Sequence, residues 1–229
     1  EAESIYTRML EFPDVSNHIR IRLLELSLKL NNPEQALRLV FEGPRNNAFL
    51  IEAAQVFLSG KFYGQASAVL DIFAQQKPIP DAYYFFKSSI AYEGEDDPVK
   101  ALGYLNKISP KSEHYDRSLQ FRAHLLMDLK KNEEAVKVIR QGQKKFPEAA
   151  NFYLLEAALH SEAGNNDLAD AALLRGNENS PDNPKILFQL GISEERKGNL
   201  DQTLKYMEQI ISHYPDHADA LNFVGYSSC

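Results

Sequence analysis

The sequence predicts an all-α fold of stacked antiparallel helical hairpins. Prolines recur at Pro147, Pro181 and Pro215, a constant step of 34. Small residues keep the same step in two series, one through Ser89, Ala123, Ala157, Gly191 and Gly225, the other through Ala101, Ala135, Ala169 and Thr203. Apolar residues fall at helical spacing around both series, as at Leu187 and Leu190, then at Leu200, Leu204, Met207, Ile210 and Ile211. Each unit therefore carries an apolar stripe on two consecutive helices. A fixed period of this length marks a repeat architecture whose units bury their apolar faces by stacking on one another.

Taken in chain order, Ala2 stands one full step before Ala36, so residues 1–12 read as a second helix without its first, a partial unit over 1–16. A degenerate unit follows over 17–46, shortened because the step from Ala36 to Ala66 is only 30. The unit 47–81 has one residue too many before the next, and regular units then cover 82–115, 116–149, 150–183 and 184–217. Residues 218–229 read as a first helix with nothing after it, a truncated unit, and the whole chain as a single array. Asn32-Pro33, Asp97-Pro98 and Asn183-Pro184 place a capping side chain before a proline at the first helical position, where a missing N–H is harmless. Gly164 and Gly198, each followed by Asn, supply the tolerance of positive φ needed between the helices of a hairpin. The recurrent prolines stop each second helix.

The best-formed unit, 184–217, has Leu187, Leu190-Gly191, Gly198, Leu200, Thr203, Met207, Ile210 and Pro215 at the marked positions, and in this it resembles the tetratricopeptide repeat family. Glu194 departs from the pattern, where the family has its first aromatic residue. The resemblance implies a right-handed α-solenoid, a superhelix whose first helices line a concave groove. The run Ala-Leu-Asn-Phe-Val-Gly-Tyr at 220–226 is similar to a stretch of bacterial members, many of them envelope-associated.

Composition excludes several classes of function. With 25 Lys and Arg against 32 Asp and Glu the net charge is −7, unlike a general nucleic-acid binder. No apolar run approaches the 18 or so residues of a membrane span, so direct membrane insertion is not expected. The single cysteine, Cys229, excludes an internal disulfide and a Cys-based zinc site. The first ten residues lack the pattern of a signal peptide, so the expectation is a cytoplasmic protein, or a periplasmic or envelope-associated one whose leader has been removed. No GxSxG, HExxH, P-loop or GxGxxG occurs, so neither an enzyme nor a cofactor is expected. His213 and His217 have ligand spacing, but Pro215 between them breaks the helix that would converge them on a metal. Residues 100–145 hold 11 basic and five acidic residues, a local +6, which reads either as a solvated face or as a surface for an acidic partner.

In the family, ligand contact falls on the second, fifth and ninth positions of the first helices. Carried onto this chain these are Tyr83, Phe86 and Ile90; Arg117, Gln120 and His124; Asn151, Leu154 and Ala158; Lys185, Phe188 and Ile192; and Asp219, Asn222 and Tyr226. Contact is favoured for Tyr83, Phe86 and Phe188, whereas Ile90, Leu154 and Ile192 serve equally well in packing. The Lys and Asn pairs with which chaperone-binding members clamp a terminal carboxylate are absent. One further anomaly concerns the seventh position of the first helix, Leu23 and Leu190 in two units but Arg122 and Glu156 in two consecutive ones. Arg122 and Glu156 are expected either to pair between stacked helices, with His160 one turn beyond, or to reach solvent separately.

The functional expectation is a non-enzymatic scaffold that holds a protein or peptide, a helix or a segment of its own parent protein in a partly apolar groove. The alternative is a regulatory or substrate-recruiting arm of a larger enzyme or envelope assembly protein. Weak self-association through uncapped ends is a third expectation, with Cys229 and the Leu221 and Val224 face contributing.

Overall fold

The computed structural model describes residues 17–227, and every regular element in that span is helical. The partial unit at 1–16 and the Cys229 thiol lie outside the described residues. Contacts divide the chain into two units at Tyr115 and Asp116.

The first unit contains α1 (Asn17–Lys29), α2 (Pro33–Phe41), α3 (Asn47–Ser59), α4 (Tyr63–Phe73), α5 (Asp81–Ser89), which runs into a π turn at Ile90–Gly94, and α6 (Pro98–Leu105). α1 packs on α2, α3 on α4 and α5 on α6, while α1 also meets α3 and α2 meets α4, so hairpins stack as well as fold. The interior is aliphatic and aromatic, with Leu23, Leu24, Phe49, Leu50, Phe57, Leu70 and Phe73 buried almost completely.

The second unit contains α7 (Tyr115–Asp128), α8 (Asn132–Lys145), α9 (Ala150–Glu162), α10 (Asn166–Asn179), α11 (Pro184–Arg196), α12 (Leu200–His213) and α13 (Ala218–Ser227). α9 pairs with α10 and α11 with α12, and the contacts α8 to α9, α10 to α11 and α12 to α13 join successive hairpins. Ala157, Ala169, Ala172, Leu173, Ile186 and Leu190 form one apolar cluster, and Leu187, Met207, Ile210 and Ala220 form the next. Val224 packs against that second cluster, whereas Leu221 stays exposed.

The period is visible in the backbone. Asn31, Lys61, Asp96, Lys130, Gly164 and Gly198 all have positive φ, between 54° and 81°, and each closes a hairpin turn. In five turns the amide after this residue donates to a carbonyl five residues back, as Asn199 does to Glu194 at 2.9 Å. This is the helix-ending motif that left-handed backbone permits. At the sixth turn the Asp97 amide reaches six residues back, to Ala91 at 2.8 Å, across the π turn. A π turn holds one more residue than an α turn. The extra residue assigned from the sequence to the unit 47–81 is instead accommodated there, within 82–115, and it moves the buried small position from Ser89 to Ser88, which is fully buried.

The expected caps are present. The side chains of Asn32, Asp97 and Asn183 accept from the amides of Gln35, Lys100 and both Lys185 and Ile186. Two glycines that the repeat pattern does not mark, Gly142 and Gly176, are also one period apart and sit where the next first helix presses on the second. A Cβ at Gly142 would overlap the ring of Phe152, and one at Gly176 would lie 2.9 Å from the Ile186 Cδ1 of the next first helix and 2.8 Å from the Tyr153 Cβ of its own hairpin.

Polar groups tie the second unit together at two places. Asp170 on α10 accepts from the buried Ser193 hydroxyl on α11, and the Lys197 ammonium lies 2.8 Å from its other oxygen. Burial pushes the Asp170 carboxyl up, but the hydrogen bonds from Lys197 and Ser193 outweigh this and hold it below the usual carboxylate range. Hydrogen bonds to Asp170 and Glu194 raise Lys197 to about 12. Glu156, 9% exposed on α9, accepts from Arg175 at 2.7 Å and from Gln143 at 2.6 Å. The cation that Glu156 binds is thus Arg175, on the second helix of its own hairpin, rather than Arg122.

Candidate functional site

In the second unit a groove of about 570 Å³ opens over α9, α10, α11 and the start of α13. The repeat itself creates the space. Ala157 and Ala158 stand where larger side chains would fill it, so the aliphatic face of Leu154 and the ring of Phe188 are left as walls, with Ala169 and Leu173 of α10 beneath. The Asn183 cap and Pro184 start α11 so that Lys185 falls in its first turn and Arg196 in its last. Lys185 and Arg196 are both exposed at the rim. The Ser161 hydroxyl, Gln189 and Asp219 complete the polar part of the lining.

His217 closes the α13 end. Its Nδ1 accepts from the Ala220 amide at 3.3 Å, and its ring lies 6.0 Å from the Phe188 ring at a tilt of 32°. His213, the other half of the histidine pair, faces Asp182 at 3.8 Å. The two imidazoles are thus held by different partners, and among the described residues no group of three His, Cys, Asp or Glu is placed to hold a metal ion.

Of the residues expected from the sequence, the groove brings together Leu154, Ala158, Lys185, Phe188 and Asp219. Ile192 is half-buried on α11 outside this lining. Asn151 is exposed at the start of α9 and donates to Gln120 at 2.8 Å, and Gln120 in turn donates to Asp116 at 2.7 Å. Arg117 is exposed on α7, and His124 lies 3.6 Å from Asp128. Asn222 is exposed, and the Tyr226 side chain lies outside the described residues.

One expectation in the first unit is overturned: Phe86 is 4% exposed, against the rings of Phe85 and His114, and offers no surface to a ligand. Ile90, 5% exposed, takes the packing role that was its alternative to contact. The count back to these positions in steps of 34 crosses the extra residue of the π turn, which shifts the face that α5 buries within its own unit. Tyr83 is half-buried in a local cluster, edge-on to Tyr84 at 5.3 Å and Tyr104 at 6.4 Å, with the Lys87 ammonium 5.7 Å from its ring centre. Burial, then Tyr104 and Asp71, raise the Tyr83 hydroxyl above its usual value.

Arg196, Ser161, Gln189 and His217 are groove residues that the sequence reading did not assign. Arg196 continues the series Lys185, Phe188, Ile192 by one more helical turn, so extending the same face would have found it. His217 had no such signal because it precedes its helix. In the basic segment Lys137, Arg140 and Lys144 are exposed along α8, while Lys130 lies 4.0 Å from Glu162. No helix among the described residues is long and apolar enough to cross a membrane.

Comparison with known proteins agrees with this architecture. Residues 122–184 and 186–217 match the family described as tetratricopeptide repeat. The TPR repeat-containing protein PA4667 of Pseudomonas aeruginosa is 26% identical over 148 residues, 64% of this chain. The chain spans about a quarter of the length of that relative. Among solved structures it is similar to PilW, a widely conserved type IV pilus biogenesis factor, with a TM-score of 0.62 at 13% identity, covering 91% of this chain and 98% of PilW. It is also similar to pilF of Pseudomonas aeruginosa, with a TM-score of 0.58 at 16% identity and coverage of 92% and 97%. A third likeness is to YrrB, a TPR protein with an unusual peptide-binding site, with a TM-score of 0.50 at 16% identity and coverage of 81% and 95%. At such identities the likeness is one of fold. With the helical hairpins, the fixed repeat period and the matched stretches taken together, residues 122–184 and 186–217 carry tetratricopeptide repeats, and the fold of the chain is similar to that of a solved tetratricopeptide-repeat protein.

Proposed function

We propose that the chain is a protein-interaction scaffold that holds an extended or helical peptide segment in the groove of its second unit. The observation that carries this reading is the groove itself, an open apolar trough whose walls, Leu154 and Phe188, belong to first helices of consecutive hairpins. A pocket of this size with a few polar groups at its edge suits one or two anchoring side chains of a peptide. The matched repeats belong to a family of interaction scaffolds. The relative's greater length favours a second occupant, a segment of a longer parent chain, for which covalent linkage would supply a high effective concentration.

Panning a displayed random dodecapeptide library on the chain should enrich sequences that bind it and fail to bind Phe188→Ser. Enriched peptides captured equally by both would refute the groove as the site.

A further inference from the structure

We infer that the groove selects a segment in which an acidic side chain stands about three or four residues from a bulky apolar one, the acid docking on Arg196 and the apolar side chain on Phe188 and Leu154. The inference rests on the groove being the binding site and adds the chemistry of what it takes.

The chain is acidic overall, yet the rim of this groove carries Lys185 and Arg196 against a single carboxylate, Asp219. Among the described residues neither cation makes an ion pair, whereas Lys197, the neighbour of Arg196, lies 2.8 Å from both Asp170 and Glu194. The hydrogen bonds of the local acids thus go to Lys197, whereas Arg196 acts on Asp170 only through a weaker coulombic attraction, and its guanidinium lines the open edge with the Ser161 hydroxyl.

The two ends of the groove are not equivalent. Lys185 is in the first turn of α11 and Asp219 in the first turn of α13, and both line the end that His217 closes, so a cation and an anion share it. Arg196, in the last turn of α11, has no acidic residue beside it in the lining. An anion is therefore favoured at one end alone, which fixes the direction of a bound segment relative to its apolar anchor. A planar guanidinium with several N–H groups suits a carboxylate, which it can hold by two parallel hydrogen bonds.

Spacing follows from helix geometry. Phe188 and Arg196 are eight residues apart, a rise of about 12 Å at 1.5 Å per residue. An extended peptide covers this in about three or four residues at roughly 3.3 Å each. A terminal carboxylate at that distance from the anchor would satisfy the same geometry as an Asp or Glu side chain.

The test uses the full chain and the displayed dodecapeptide library. Enriched sequences should hold Asp or Glu three or four residues from a Phe, Leu, Ile, Met or Trp. For a labelled synthetic copy followed by fluorescence anisotropy, Arg196→Glu should weaken binding at least tenfold, and a peptide with Lys in place of its acid should recover affinity for that variant. Amidating the peptide's terminus separates a terminal from a side-chain carboxylate as the docking group. Arg196 is exposed at a helix end, and an unchanged circular-dichroism spectrum, with Arg196→Gln as a milder second variant, keeps a folding defect apart from a binding one. If Phe188→Ser abolishes binding while Arg196→Glu and the acid-to-lysine peptide leave it unchanged, the acidic preference is wrong and the groove stands. If neither variant matters, or the library yields no enriched sequence, both readings fall.

Discussion

Gly142 offers a sharp test of the packing between consecutive hairpins. Replacing a helical glycine by alanine ordinarily stabilises by about 0.5–1 kcal/mol, because alanine loses less backbone freedom on folding. Gly103, on the exposed face of α6, has nothing within 4 Å of an added Cβ, so Gly103→Ala should show that gain. At Gly142 the added carbon would come within 2.2–2.4 Å of three ring carbons of Phe152, a side chain with 0% exposure that stacks on Phe146 with ring centres 6.5 Å apart. Phe152 is enclosed and has no solvent side to turn toward. Forcing an extra carbon into a filled interior costs about 1–3 kcal/mol, which exceeds the propensity gain, so Gly142→Ala should destabilise the chain by about 1–2 kcal/mol. The chain has no tryptophan, so urea unfolding is best followed by circular dichroism. Adding Phe152→Leu, which removes the part of the ring that the Cβ strikes, should make Gly142→Ala less harmful than it is alone. If Gly142→Ala stabilises as much as Gly103→Ala does, the close approach of α8 and α9 is wrong.

The other expectations concern single positions. Asp170→Asn should cost about 1–3 kcal/mol at neutral pH, since it weakens hydrogen bonds to a charged group. The folded Asp170 carboxyl binds its proton less tightly than an unfolded one, so its contribution is full above the ordinary carboxylate value and is lost as pH falls below it. Urea midpoints between pH 6 and pH 3 should accordingly drop less steeply for Asp170→Asn, and parallel curves would refute this. Lys130 adopts φ of 58° at an exposed turn, so Lys130→Gly should raise stability by about 1 kcal/mol, with a lowered thermal midpoint as the contrary result. Asn183→Ala removes the acceptor for the Lys185 and Ile186 amides, and a loss of about 1 kcal/mol should appear as faster hydrogen exchange in the first turn of α11. A double-mutant cycle of Glu156→Leu with Arg175→Leu should be non-additive by about 1 kcal/mol, reduced from the buried-pair value because half of the Arg175 side chain is in solvent, whereas a cycle with Arg122→Leu should be additive.

The fold was legible because each structural demand falls on a residue type that advertises itself. Asn183-Pro184 announces a helix start, Gly198 a left-handed turn, and Ala169 and Thr203 a crossing of two helices. The hairpin turns at Lys61, Asp96 and Lys130 carry the same backbone without the same signal, because an exposed left-handed residue costs only about 1–2 kcal/mol when it is not glycine. Asp96 and Lys130 stand in the same 34-residue step as Gly164 and Gly198, and that step rather than their own chemistry is what marks them. Gly142 and Gly176 went unremarked for the opposite reason. Their requirement comes from the ring of Phe152 at Gly142 and from Ile186 at Gly176, which belong to the following hairpin and reach the glycine only after the repeats stack, with Tyr153 of the same hairpin adding to the crowding at Gly176.

The site was less legible because facing positions depend on phase, and phase depends on every residue between. In 150–217 the period is unbroken, and the residues counted onto the first helices of that stretch supply Leu154, Ala158, Lys185 and Phe188 to a single groove. One added residue in the first unit, absorbed by the π turn at Ile90–Gly94, was enough to turn Phe86 and Ile90 inward. An insertion of one residue rotates a helical face by about 100°, so a binding position carried across it points away from the expected face. Charge pairing fails to follow the period for a related reason. Arg122 and Glu156 occupy equivalent places and would meet if side chains obeyed the repeat, but Glu156 lies within reach of Arg175 across its own hairpin and of Gln143 on α8. A carboxylate is held by the donors whose backbones are already nearby, and the periodic pattern constrains backbones more tightly than it constrains the ends of long side chains. Arg196 belongs to the same logic. Its neighbour Lys197 makes the close contacts to Asp170 and Glu194, and Arg196, which acts on Asp170 at longer range, lines the groove.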